Sequence, residues 1–373
     1  MVTIREVAGE CGVSVTTVSM VLNNGPAAQR ISEPTRQRIR KVADKLGYRP
    51  NVFARSLRSK RSGSVGVMVF DITDPYCAQI LRAIETQLQS SGYSSVLSDL
   101  QNDPFQFQRC LNMLLERRVE GIVAIANWTY LQGKLLAKIS GQNIPAVIIG
   151  RELTGNHISS VVVDNEAGTR QALQHLWELG HSKVAFIKGP RTLVDSAQRW
   201  RGLESFAHEV GLTIDPHLVV EIQGRNSTYT EGYQLAEALL ARNRSFTALI
   251  AFDDLTACAA IRALTKAGRV VPKDCSVVGF DDIPNSAFYN PPLTTVQQQL
   301  EMQGSMGAVI VDELIRSSVE NKTSPPKHRK VAPRLIVRES TCPARAGSSR
   351  ATMITPLRKL RKLSSKTNLS EIR

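Results

Sequence analysis

The sequence predicts a mixed α/β protein in which a small, basic three-helix module precedes a two-lobed body of parallel sheets flanked by helices. Three observations carry this expectation. The chain has 373 residues and is 42% apolar, which suits two or three domains with a sizeable core. Its net charge of +14 is concentrated at the ends: residues 1 to 64 hold 12 Lys+Arg against 4 acids, residues 343 to 373 hold 8 against 1, and the stretch between is close to neutral. From Ser64 onward, short apolar runs alternate with amphipathic segments, as strands and covering helices do. Positive charge packed into so short a segment points to a polyanionic partner, because binding to phosphate releases counterions.

In IREVAGEC, residues 4 to 11, the side chains of Ile4, Val7, Ala8 and Cys11 share one helical face, and Gly12 then supplies a turn. A second helix begins after Ser14, whose hydroxyl is placed to cap the free N–H groups of Val15 to Thr17. That helix is rich in β-branched residues, which lose side-chain freedom in a helix. Ser32 is expected to cap a third helix, SEPTRQRIRKVADKLG, with Pro34 in its first turn, Ile39, Val42, Ala43 and Leu46 inward, and Gly47 as its stop. A helix, a glycine turn and a helix with a small, polar first turn make a helix-turn-helix, whose second helix enters the DNA major groove. The poor helix formers then have a reason. Short side chains at Val15, Thr16 and Ser19, together with Met20, allow close approach to base edges, and their methyls match thymine methyls.

In the body, residues 64 to 70, 93 to 99, 119 to 126 and 144 to 150 read as strands, and 75 to 92 and 104 to 118 as helices. The pattern restarts with strands at 160 to 164 and 183 to 189, then LVVEIQ, ALIAFDD (248 to 254) and SVVGFDD (276 to 282). Between them GTRQALQHLWELG, RWRGLESFAHEVG, TEGYQLAEALLAR and TACAAIRALTKAG read as helices. Two similar halves imply two lobes. In sheets of this kind, ligands sit beyond the carboxyl ends of the strands.

Other classes find little support. The six cysteines show no C-x-x-C spacing and the histidines no metal spacing, so small buried thiols in a reducing compartment are expected, with no metal and no cofactor. No G-x-G-x-x-G follows a strand, and there is neither a phosphate loop nor a G-x-S-x-G elbow, which argues against an enzyme. No apolar run approaches the roughly 18 residues of a membrane span, and MVTIREVAGE lacks an export-signal design, so a cytoplasmic location is expected.

TIREVAGECGVSVTTVSMVLN followed by ISEPTRQRIRKVADKLGYRPNVFARSLRS resembles the DNA-binding headpiece and hinge of the LacI/GalR (lac-repressor-type) transcription regulators. The likeness continues through DPYCAQILRAIE, VVVDNEAGTRQALQHLWELGHSKVAFI, RWRGLESF and SVVGFDDIPNSAFYNPPLTTVQQ, and so covers residues 2 to about 340. It implies a headpiece (1 to 49), a hinge and linker (50 to 63), a body like the periplasmic sugar-binding proteins (64 to 342), a homodimer and a palindromic operator. By the resemblance, Ser14, Thr17 and Asn23 hold DNA phosphates, Thr3 belongs to the DNA-binding set, and Val15, Thr16, Ser19 and Met20 face bases. Met20 stands where arginine is common, which removes a bidentate guanine contact. The hinge Asn51 to Arg58 resembles a short helix that folds only on the operator, with Leu57 as the minor-groove wedge and Val52 and Ala54 against the partner's hinge.

The resemblance also points to an effector cleft. Arg151, Arg199, Asp253 and Asp281 lie at or near strand ends where the family contacts its ligand, and forked donors with aspartate acceptors suit a sugar or sugar acid. Asp71 and Tyr76 after the first strand, and Asn127 and Trp128 after VAIA, are expected to line the cleft too. Ser227 stands where relatives sometimes carry a stacking aromatic, which weakens the case for a purine. The function implied is that of a sequence-specific regulator, most simply a repressor, whose operator affinity a small molecule controls. The final stretch, 343 to 373, is basic and serine-rich, with Leu357, Leu360 and Leu363 recurring too briefly for a coiled coil. A largely disordered tail is expected, with a helix formed on nucleic acid or an oligomerisation segment as alternatives.

Overall fold

The computed structural model describes residues 2–22, 26–49, 61–129, 141, 144–152, 158–322 and 324–345. The N-terminal module consists of α1 (Ile4–Cys11), α2 (Val15–Leu22) and α3 (Glu33–Leu46). A capping box opens α1: Glu6 N–H donates to Thr3 Oγ1 and Thr3 N–H donates to Glu6 Oε2 at 2.7 Å. Gly12 takes φ 62°, the left-handed turn that lets α2 fold back on α1. Ser14 Oγ accepts the Thr17 N–H at 3.1 Å, as expected of a cap. Ser32 departs from expectation: it holds the cap position of α3, but its hydroxyl pairs with Thr35 Oγ1 at 2.9 Å and takes no backbone N–H. Pro34, next in line, offers none. Val7, Ala8, Cys11, Val18, Val21, Ile39 and Ala43 form a small closed core of the module's own.

Two six-stranded sheets make up the body. The first lobe has strands β1 (Ser64–Val69), β2 (Ser94–Asp99), β3 (Gly121–Ile125), β4 (Ala146–Ile149), β5 (Ser159–Val163) and, late in the chain, β11 (His328–Val331). Their order is β11-β5-β4-β3-β1-β2, all parallel. The second lobe has β6 (Val184–Lys188), β7 (Val219–Glu221), β8 (Ala248–Ala251), β9 (Ser276–Asp281), β10 (Thr294–Gln297) and β12 (Arg334–Ile336), in the order β12-β10-β9-β8-β6-β7 with β12 antiparallel. Helices α4 (Pro75–Ser90), α5 (Pro104–Glu116) and α10 (Leu300–Val319) serve the first lobe; α6 (Asn165–Glu178), α7 (Val194–Glu209), α8 (Tyr229–Ala241) and α9 (Asp254–Lys266) serve the second. Strands β3 and β4 are buried along their whole length, which is why they read as unbroken apolar runs.

Several boundaries differ from the sequence expectation. The lobes are not two consecutive halves: α10, 20 residues long, and β11 return to the first lobe after the second is nearly complete. The chain therefore crosses between lobes at Asp164, at Gln298–Gln299 and at Ala332–Pro333. These crossings are laced together, with Lys330 on Asp164 at 2.7 Å and Gln171 bonded to both Pro333 O and Leu335 N–H. Helix α7 starts at Val194 rather than at Arg199, and Asp253 and Asp254 open α9 instead of ending β8. Residues 343–345 still belong to the second lobe, since Ala344 N–H donates to Leu179 O at 2.9 Å and Arg345 pairs with Asp274 at 3.0 Å. The rest of the tail lies outside the described residues. Cys11, Cys77 and Cys275 are buried free thiols, whereas Cys110, Cys258 and Cys342 are half-buried, against the expectation that all would be interior.

Asp254, fully buried, fastens the 283–295 segment to α9. Its carboxylate accepts Ile283 N–H at 3.0 Å, the Ser286 hydroxyl at 2.5 Å and the Thr295 hydroxyl, while burial pushes its pKa up to about 7. Asp254→Ala leaves those three donors without an acceptor. It is expected to lower stability by about 3 kcal/mol, read as a drop in the melting temperature of the second lobe.

Candidate DNA surface and effector cleft

The outward face of α2 carries the residues expected to meet DNA. Val15 is 40% and Met20 39% exposed, Ser14 and Thr16 are exposed, and Thr17 and Ser19 are half-buried, all above the buried Val18 and Val21. Thr3 is exposed, with its hydroxyl engaged in the α1 capping box. Asn23, Asn51, Ala54, Leu57 and Arg58, along with Val52, lie outside the described residues.

Between the lobes lies a narrow cavity lined by Phe70, Asp74, Tyr76, Asn127, Leu193, Asp195, Arg199, Asn226, Ser227, Phe252, Asp253 and Asp281. Backbone bonds close it at one side: Thr129 N–H donates to Thr192 O at 2.8 Å and Val194 N–H to Asn127 O at 2.9 Å, flanking a Trp128–Leu193 bridge. Asn127 Nδ2 donates to Asp195 Oδ2 at 2.7 Å, and Asn226 of the second lobe bonds Asn102 of the first. The two lobes are thus shut upon each other.

Arg199, 5% exposed, is the cationic centre of the cleft. Its Nε donates to Asn165 Oδ1 at 2.9 Å and its Nη1 to Phe252 O at 2.5 Å, and Nη2 lies 3.6 Å from Asp281 Oδ1. The guanidinium also stacks on Phe280, 3.7 Å from the ring centroid, and on Phe252 at 4.5 Å. Asp253 caps α9 through the Thr256 N–H at 2.8 Å and receives the Ser227 hydroxyl. Asp281 ends β9 with φ 124° and receives the Gln298 side-chain amide from the second crossing. Burial pushes Asp281 well above the usual carboxylate range, against the pull of Arg199. It raises Asp195 likewise, and lifts Asp74 to about 7 with help from the nearby Asp253 and Asp71.

Five expected cleft residues therefore come together: Tyr76, Asn127, Arg199, Asp253 and Asp281. Two do not. Arg151 is buried, but its guanidinium is spent on the carbonyls of Trp128 and Thr129, where it braces the interlobe loop. Asp71 builds its own turn, accepting the Thr73 N–H at 2.8 Å and the Asn102 amide at 2.6 Å. Trp128 is buried edge-on to Phe70 and acts through its backbone bridge. Asp74, Asp195, Asn226 and Phe70 line the cavity without having been singled out. Asp74 had a signal, since an aspartate before a proline that opens a helix marks a cap at a strand's carboxyl end.

Residues 3–51 match the lacI family of bacterial regulatory proteins, and residues 173–341 match a periplasmic binding protein-like domain. The HTH-type transcriptional repressor PurR of Haemophilus influenzae (strain PittEE) is 34% identical over 342 residues, an alignment spanning 91% of this chain and 98% of that protein. The chain belongs to the LacI family of bacterial transcription regulators. This LacI-family regulator is also 32% identical over 345 residues to the HTH-type transcriptional regulator DegA of Bacillus subtilis (strain 168), covering 91% of this chain and 98% of the relative. Its fold matches the lac repressor dimer bound to operator and the anti-inducer ONPF with a TM-score of 0.77 at 28% identity, over 91% of this chain and 99% of that one. The transcriptional regulator CelR in complex with cellobiose matches with a TM-score of 0.67 at 29% identity, over 91% and 100%. The headpiece and the two-lobed body are accordingly those of a DNA-binding regulator under small-molecule control. Among the described residues, no helix is long and apolar enough to cross a membrane.

Proposed function

We propose that this LacI-family chain is a cytoplasmic, homodimeric, non-enzymatic repressor that grips a palindromic operator with paired headpieces and answers to a sugar held between its lobes. The observation that carries the reading is the cleft: Arg199 at the centre of a closed, polar, aromatic-walled cavity placed at the carboxyl ends of both sheets. A sugar acid fits less well than the sequence suggested. With Arg151 committed elsewhere, Asp74, Asp195, Asp253 and Asp281 outnumber the single guanidinium, and an added carboxylate meets repulsion. The likeness to a regulator complexed with cellobiose supports the sugar class. Phe105 and Phe288, 82% and 87% exposed, offer one apolar contact from each lobe to a second subunit.

On the DNA side, Ser14, Thr17 and Asn23 take phosphates, Thr3 stands beside them, and Val15, Thr16, Ser19 and Met20 read bases. Asn51, Ala54, Leu57 and Arg58 form the hinge, with Leu57 wedged in the minor groove. Lobe closure sets the spacing of the two hinges, so effector and operator affinities are coupled reciprocally. Met20→Arg tests the base-facing set. It is expected to create a preference for guanine opposite position 20 by about 1–3 kcal/mol, measured by sequencing duplexes that the variant selects from a random pool. An unaltered preference would remove Met20 from the base-reading surface.

A further inference from the structure

The hydrogen-bonding supply of the cleft is one-sided. The side chains there that carry N–H groups spend part of that supply on the protein: Arg199 Nε and Nη1 on Asn165 and Phe252, Asn127 on Asp195, and Asn226 on Asn102. The Ser227 hydroxyl is given to Asp253, which leaves Arg199 Nη2, 3.6 Å from Asp281, and the Tyr76 phenol as the donors free to meet a ligand among the described lining residues. Acceptors, by contrast, are in surplus. Asn127, only 7% exposed, keeps its Oδ1 without a partner, and so does Asn226. The orientation of the Asn127 amide is fixed, because its Nδ2 must face the Asp195 carboxylate.

Charge points the same way. Asp74 enters from the first lobe; Asp195 on α7, Asp253 before α9 and Asp281 at the end of β9 enter from the second, against one guanidinium. Asp253 and Asp74 both act electrostatically on Asp281, so these carboxylates share one field. A closed site with this surplus must take up either protons or a cation. Neutral hydroxyls supply donors but no charge.

We propose that the effector is an amino sugar, whose ammonium group sits among Asp74, Asp253 and Asp281 and donates to the open side-chain oxygens. This rests on the sugar reading above and narrows it to a chemical class. Without ligand, burial favours the protonated forms of Asp74 and Asp281; the ammonium group takes the place of those protons, so binding releases protons and strengthens as pH rises toward 7.

The test is the thermal shift of the full chain at pH 5.5 and 7.5 with matched sets on glucose, galactose and mannose frames: the hexose, its 2-amino and 6-amino derivatives, and the hexonate. At pH 7.5 an amino member is expected to bind at least tenfold more tightly than its parent hexose, with the hexonate inactive, and the advantage is expected to shrink at pH 5.5. Asp74→Asn, which retains a residue able to cap α4, should diminish the pH dependence of that advantage, and Asp253→Asn should diminish the advantage itself. A hexose or hexonate that equals or exceeds the amine overturns the amino-sugar assignment and leaves the sugar reading standing. No shift from any member overturns both.

Discussion

Arg199→Ala is expected to abolish the effector response, to lower the melting temperature of the second lobe, and to leave effector-free operator binding in place. The three effects have separate origins. Arg199 joins α7 to Asn165, to the Phe252 carbonyl and to Asp281 while stacked between two phenylalanines. Its removal leaves buried acceptors unpaired, which costs about 3 kcal/mol. The cleft also loses its central donor, so ligand no longer stabilises the closed form. The headpiece keeps its own core around Val7, Val18 and Ile39 and is untouched. Melting curves with and without ligand, beside operator titrations, check all three; a variant that still responds normally would take Arg199 out of the site.

Gly202→Ala is the second large effect, and here two forces oppose. Alanine gains about 1 kcal/mol of helix propensity over glycine. A methyl at position 202 would, however, meet the Glu166 carbonyl oxygen and Thr169 Oγ1, with Glu166 Cα at 2.8 Å. The first and last of these are backbone atoms of α6, which cannot rotate aside, so the helices must separate at a cost of about 3 kcal/mol or more. A net loss of about 2 kcal/mol follows. The same crossing seats the site, because Thr169 Oγ1 donates to Arg199 O at 2.8 Å. Effector affinity should therefore fall with stability. A rise in melting temperature would mean that the α6–α7 approach is looser than described.

The local punctuation of the headpiece was legible because it depends on neighbours in sequence: Gly12, Gly47 and the Ser14 cap act within one turn. Ser32 misled because its hydroxyl had a side-chain rival in Thr35. In the body, apolar runs announced the buried strands, but not their lobe. Strand β11 pairs with β5 across a long loop of chain, His328 beside Ser160, and no local pattern encodes that return. The cleft was partly legible for a related reason. Position after a strand places a residue near the ligand end of a sheet, which sufficed for Asn127, Asp253 and Asp281. It does not set direction: Arg151 turns back to the Trp128 and Thr129 carbonyls, and Asp71 turns into its own loop while Asp74, three residues on, faces the cavity.

The account stands or falls on selective DNA binding governed by the cleft. The most direct measurement is the affinity of the full chain, at about 0.15 M salt, for an inverted-repeat duplex selected from a random pool and for the same bases shuffled, each titrated with and without the ligand that shifts its melting. A preference of at least about 1,000-fold for the selected duplex, changed by ligand in wild type and unchanged in Arg199→Ala, is the predicted result. Equal affinity for both duplexes, or a preference that the ligand leaves untouched, would contradict it.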